Sequence, residues 1–239
     1  MKGLNSGGRM SHAQTMLEIV KDMDLEDDYF DSNGHVKSFF SKDNTKMKET
    51  MEKNPDKEFI CFNMPARTTC PQAKVCLKYC YASKGRYVFP KNKRSMMRHY
   101  EMSQTDRFVD LVNEEIAWRM RQAAKKGKTL YVRVHDSGDY YSLEYARKWI
   151  AIANANPEAT FYSYTKSVSI WHYLEDQGEK PENFRLIMSE GGKEDLLIRD
   201  GDARAVVITS PEQMTEEMMD ATGNDYVALI AKVVALPIH

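Results

Sequence analysis

From residue 58 onward the chain alternates short apolar runs with longer amphipathic segments. In "EFICFNM", Ile60, Phe62 and Met64 alternate with Cys61 and Asn63, the period of two expected of a strand. "TLYVRVH", "ATFYSY", "FRLIMS" and "RAVVITS" read as four further strands, and "DYVALIAKVVAL" fits either a sixth strand or a helix. Between the first two runs lies a two-part helical stretch. Its second part starts near Ser103 and Asp106, carries Phe108, Leu111, Val112, Ile116, Met120 and Ala123 on one face, and stops at Gly127. "SLEYARKWIAIAN" and a short segment after Lys166 are the next helices, and Pro211 is placed to open a helix over "PEQMTEEMMDA". Strands alternating with helices imply parallel pairing through right-handed crossovers. The class is α/β, either an open doubly wound sheet or a complete or partial (β/α) barrel.

Residues 1–57 are polar and charge-rich and read as a loosely packed, partly helical N-terminal extension; residues 58–239 form the main domain. With 42% hydrophobic and 29% charged residues the chain is able to bury a full core. Its 34 basic residues balance 35 acidic ones, which removes any global bias toward nucleic acid or membrane and leaves only local patches. No run is long and apolar enough to span a bilayer, and all four cysteines lie within twenty residues, which argues against a disulfide scaffold. The expected setting is the cytoplasm, that of the host if the protein is viral.

In either α/β architecture a ligand site lies beyond the C-terminal ends of the strands. Those ends are polar here: the cysteine loop, "HDSGD", "TKS", "SEGG" and "TS". The loop "CPQAKVCLKYC" spaces Cys70, Cys76 and Cys80 by five and three residues, close enough for three thiolates to turn toward one centre. Zinc sites favour paired C-x2-C spacings, which are missing, so an iron-sulfur cluster is the preferred occupant over zinc or unligated thiols. Three thiolates on a [4Fe-4S] cluster leave one iron open for a small molecule. Cys61 is either a fourth ligand or a small buried hydrophobe.

The C-x5-C-x3-C loop after a first strand, with Tyr79 just before the last cysteine, resembles a spacing variant of the radical S-adenosylmethionine loop. That resemblance implies a partial (β/α)6 TIM-like barrel, a [4Fe-4S] cluster, Tyr79 near an adenine, S-adenosylmethionine on the open iron and Asp136, Ser137, Gly138 and Asp139 near its amino group. "PARTTCPQAKVCLKYCYA", "RVHDSGDYYS", "FYSYTKS" and "SEGG" together resemble the phage gene product 88 family over most of residues 58–192. The loop spacing departs from the usual radical-enzyme form.

Strand alternation puts Tyr131, Arg133 and His135 on one face of their strand, with Asp136 at the rim. Lys166 pairs with a substrate carboxylate or phosphate, and Glu190 with a ribose hydroxyl or amine, or both are plain surface charges. The expected activity is that of a cluster enzyme. Its rivals are a redox or binding module with Cys61 as fourth ligand, and a hydrolase using the open iron or a His135/Asp136 acid-base pair. The basic segment Lys84–Arg98, interleaved with aromatics, is either a track for a nucleic-acid backbone or a solvated helix face.

Overall fold

The computed structural model describes residues 10–41 and 44–237; the first nine residues of the N-terminal extension lie outside them. In chain order the elements are α1 (His12–Val20), β1 (Phe40–Ser41), α2 (Thr45–Lys53), β2 (Lys57–Phe62), α3 (Cys76–Tyr79), α4 (Pro90–Ser103), α5 (Arg107–Ala124) and β3 (Thr129–Val134). There follow α6 (Leu143–Ala155), β4 (Thr160–Thr165), α7 (Val168–Asp176), β5 (Phe184–Ser189), β6 (Arg204–Ile208), β7 (Met218–Asp220), α8 (Val227–Ile230) and β8 (Val233–Pro237).

The strands make one sheet in the order β1-β2-β3-β4-β5-β6-β8-β7. From β2 to β7 every pairing is parallel, and only β1 runs antiparallel. From β1 to β6 the order follows the sequence, without the reversal that defines a doubly wound sheet, and β8 then inserts between β6 and β7. Among the described residues the edges β1 and β7 do not pair with each other, so the sheet is open.

Alternation along the strands sorts side chains into two cores. Ile60, Phe62, Val132, Val134, Phe161, Phe184 and Met188 face α1, α5, α6 and α7, where Trp149 and Trp171 are fully buried. Phe59, Cys61, Tyr162, Ile187 and Val234 face the other way and are covered by Met47 of α2 and by Ala221, Val227 and Ala231 near α8.

Two expectations are corrected. Residues 10–57 are not loosely packed: Met16, Val20, Tyr29, Phe39 and Phe40 enter the helical-side core, and α2 roofs the opposite face. The polar character of this segment is real, but its sparse apolar positions, Met10 apart, turn inward. "PEQMTEEMMDA" is not a helix; a short 3-10 turn at Pro211–Gln213 leads into β7, which pairs with β8. Pairing β7 on β8 covers a sheet edge that would otherwise present unpaired backbone groups. "DYVALIAKVVAL" divides into both candidates, helix α8 and strand β8.

Candidate functional site

The cysteine loop leaves the C-terminal end of β2 and lies across the ends of β3, β4 and β5. Val75 donates its amide to the Gly191 carbonyl at 2.9 Å, Lys193 donates its amide to the Gln72 carbonyl at 2.9 Å, and Lys193 Nζ reaches the Pro71 carbonyl at 2.6 Å. An isolated bridge joins Ala73 to Gly192, where an added Cβ would stand 3.1 Å from the Gln72 carbonyl. Gly192 thus permits the close approach that holds the loop down.

Cys70, Cys76 and Cys80 are free and half-buried. Burial pushes the Cys70 thiol up to about 12, with Asp139 and the neighbouring thiols Cys80 and Cys76 adding to the shift. Cys76 and Cys80 thus lie near enough to Cys70 to bear on its charge. Lys166 joins them: burial lowers its pKa, while Cys76, Asp139 and Cys70 oppose that effect. The Lys166 ammonium donates to Ser189 Oγ at 2.7 Å and to the Ser189 and Glu190 carbonyls at 3.0 and 2.7 Å. Asp139 accepts from the Thr165 hydroxyl at 2.6 Å and the Lys166 amide at 2.7 Å, and its burial raises the carboxyl pKa to about 6.

Beneath the loop, on the inner face of the sheet, Arg133 is buried between Asp225 (3.0 Å) and Asp136 (3.3 Å). Lys46 of α2 closes the other side of Asp225 at 2.8 Å, and Tyr162 donates to it at 2.5 Å. The Asp136 carboxylate also accepts from Tyr87 at 2.6 Å and Asn44 at 3.2 Å, while Tyr81 donates to the Asp136 carbonyl. Two cations face two carboxylates, Lys46 at the solvent side and Arg133 and Asp225 buried, and this pairing is how the buried charge is tolerated.

Several expected site residues sit elsewhere. His135 is not on the Arg133 face: it adopts φ of +67°, which ends the alternation of β3 and turns the ring into the helical core beside Phe62, Tyr140 and Trp149. There its Nε2 meets the Tyr145 hydroxyl at 2.9 Å, and burial drives its pKa down to about 3. A His135/Asp136 acid-base pair does not form. Ser137 ties down the loop start, donating to the Met64 carbonyl at 2.8 Å. Gly138, at φ +88°, lies where a Cβ would be 2.4 Å from that of Met64 and 2.7 Å from Thr69 Oγ1. Glu190 is paired with Arg204 at 3.6 Å rather than turned to a ligand, and Tyr79 is exposed.

Cys61 is fully buried against Phe59 and Tyr162 and takes a 3.5 Å contact from Asn44. The charges bearing on it are Asp136, Arg133 and Asp225, not the loop thiols. The residues that sequence reasoning missed are Tyr81, Tyr87, Asn44, Lys46 and Asp225; each is an ordinary polar residue whose role appears only when distant segments meet.

A zinc ion with bonds of about 2.3 Å needs sulfurs about 3.8 Å apart. Among the described residues the triad of ligating atoms within 4.8 Å of one another is His172, Glu175 and Asp202, on α7 and the loop before β6. Cys70, Cys76 and Cys80 do not form such a triad.

The gene product 88 family model matches residues 38–235. The chain belongs to the gene product 88 family. Among curated proteins it is 26% identical over 125 residues to the gene 88 protein of Mycobacterium phage L5, covering 51% of this chain and 52% of that protein. It is 27% identical over 125 residues to the gene 88 protein of Mycobacterium phage D29, covering 51% of each. In those alignments the chain spans about half the length of the relatives it matches. No solved structure matches. The gene product 88 match begins at residue 38, just before β1, and so takes in β1 and α2 as well as the parallel strands. No helix among the described residues is long and apolar enough to cross a membrane.

Proposed function

We propose that this gene product 88 protein is a [4Fe-4S] enzyme in which Cys70, Cys76 and Cys80 hold the cluster and a small molecule, S-adenosylmethionine or one of like chemistry, takes the open iron. The observation that carries this reading is the nearness of three free thiols, Lys166 and Asp139 at the C-terminal ends of β2–β5. When bound, the cluster supplies an electron-transfer centre with one iron free to accept a ligand. The chain's own part is positional. Lys193 and Gly191 clamp the loop, Lys166 sets a positive charge beside the thiolates, and Asp139 is held by Thr165 and the Lys166 amide where a ligand amine can meet its carboxylate.

The sequential parallel sheet is read as a partial barrel of the radical S-adenosylmethionine kind, opened at both edges and roofed inside by α2 and α8. Three thiols that must stay reduced call for the host cytoplasm. The fourfold-ligated module is disfavoured by the place of Cys61, and the hydrolase built on His135 by its buried ring.

Anaerobic reconstitution with iron and sulfide, followed by reduction, tests the proposal by electron paramagnetic resonance. A cluster signal that changes when S-adenosylmethionine is added is expected. A signal indifferent to it, with no heat of binding by calorimetry, removes the open iron; no signal at all removes the cluster.

A further inference from the structure

Between residues 59 and 100 the chain carries nine of its 34 lysines and arginines and not one Asp or Glu, leaving 25 basic residues against all 35 acidic ones elsewhere. All nine but Arg98 are exposed. Arg98 is buried and donates to the Asp28 carbonyl, so it leaves the patch expected at Lys84–Arg98, while Lys74 and Lys78 on the cysteine loop join it. Three exposed arginines elsewhere are matched with carboxylates, Arg121 with Glu114, Arg147 with Glu179 and Arg199 with Asp176. Among the described residues the eight exposed cations of this stretch have no such partner. Like charges gathered in one exposed stretch of chain repel one another, and a polyanion relieves that cost by exchanging its counterions for them.

The same stretch exposes aromatic rings. Tyr79, Tyr81 and Phe89 are 53%, 54% and 57% exposed, interleaved with the cations and flanked by Val75 and Val88. A duplex hides its bases in the stack, whereas a single strand offers them to such rings. We infer that residues 67–94 form a binding strip for a single-stranded polynucleotide, the cations following its phosphates and Tyr79, Tyr81 and Phe89 stacking its bases. The strip contains Cys76 and Cys80, and its Tyr81 and Tyr87 reach Asp136. A bound strand therefore passes over the candidate site. The inference goes beyond the cluster reading and does not depend on it.

The test is fluorescence anisotropy of reconstituted protein with a labelled twenty-nucleotide DNA strand, its RNA counterpart and the matching duplex, the visible absorbance being recorded first so that loss of a cluster and loss of binding are read separately. Single strands are expected to bind more tightly than duplex, with log K falling against log salt by about 0.7 for each phosphate contacted. Lys91→Glu, Lys93→Glu and Arg94→Glu combined should lower affinity at least about tenfold and flatten that slope by about 2. Tyr79→Ala with Phe89→Ala should weaken binding severalfold with the slope unchanged. Lys125→Glu with Lys126→Glu, on the far end of α5, should do neither. Absent or salt-independent binding, preference for duplex, equal loss in the Lys125/Lys126 variant, or equal binding of phosphatidylserine vesicles untouched by the aromatic changes would each overturn it.

Discussion

Tyr87 donates its hydroxyl to the Asp136 carboxylate across 2.6 Å, tying the segment after the cysteines to the end of β3. The same carboxylate faces Arg133 at 3.3 Å, so it is committed on both sides before any ligand arrives.

Asp136→Asn should therefore cost stability as well as any ligand affinity. Arg133 retains Asp225, so the loss in urea denaturation is expected at about 1–3 kcal/mol rather than the larger figure for a wholly orphaned charge. Tyr87→Phe should cost about 1 kcal/mol, and the double variant less than the sum, because both act on one contact. Strict additivity would mean the two groups are not coupled.

The cysteines separate by position. Alanine at Cys70, Cys76 or Cys80 should abolish the visible absorbance of anaerobically reconstituted protein and lower its melting temperature, since cluster binding orders the loop. Cys61→Ala should keep the absorbance and lose about 1 kcal/mol of packing. Loss of colour in Cys61→Ala would make that sulfur a ligand.

Acid should destabilise the protein through two histidines. Burial lowers His135 to about 3 and His99 to about 4, both from 6.5. Their unfolded forms bind protons first, so the stability they allow is complete above pH 6.5 and drains as pH falls from 6.5 toward 3, at about 1.4 kcal/mol for each unit of each shift. Asp139, raised from 3.8 to about 6, acts in the opposite sense: its contribution is fullest below 3.8 and lost as pH rises through 6. The histidine shifts are larger, so the urea midpoint should fall between pH 6.5 and 4.5. His135→Asn, which keeps a residue tolerant of positive φ, should flatten that slope; an unchanged slope would place the titration elsewhere.

Gly138→Ala should be severe. It combines φ of +88° with a Cβ pressed against Met64 and Thr69, next to Cys70, so a loss of several kcal/mol and a displaced loop are expected. Gly34→Ala, at φ +75° with nothing within 4 Å, carries the backbone strain alone and should cost about 1–2 kcal/mol. Equal losses in thermal melts would remove the steric argument.

The parallel strands were legible because each is a short apolar run bounded by polar rim residues, and the loop was legible because cysteines cluster visibly. His135 was not, since a single left-handed residue reverses the face on which a strict period of two places it. β7 was hidden because Met218–Asp220 is a strand only by virtue of its neighbour β8. Asp225 and Lys46 were hidden for a related reason: a lone acid and a lone lysine become a buried pair only through contacts that join the two ends of the chain.

Arg133 and Asp225 lie 92 residues apart in the chain. A ribosome adding about 5–20 residues each second leaves roughly 5–18 seconds in which β3 exists and its deepest counter-charge does not. During that interval the inner face of the nascent sheet carries a guanidinium with only Asp136 to answer it, and burying it is unfavourable. The segment that carries Asp225 thus acts as a late lock on synthesis: the guanidinium on β3 is fully answered only once that segment has been made.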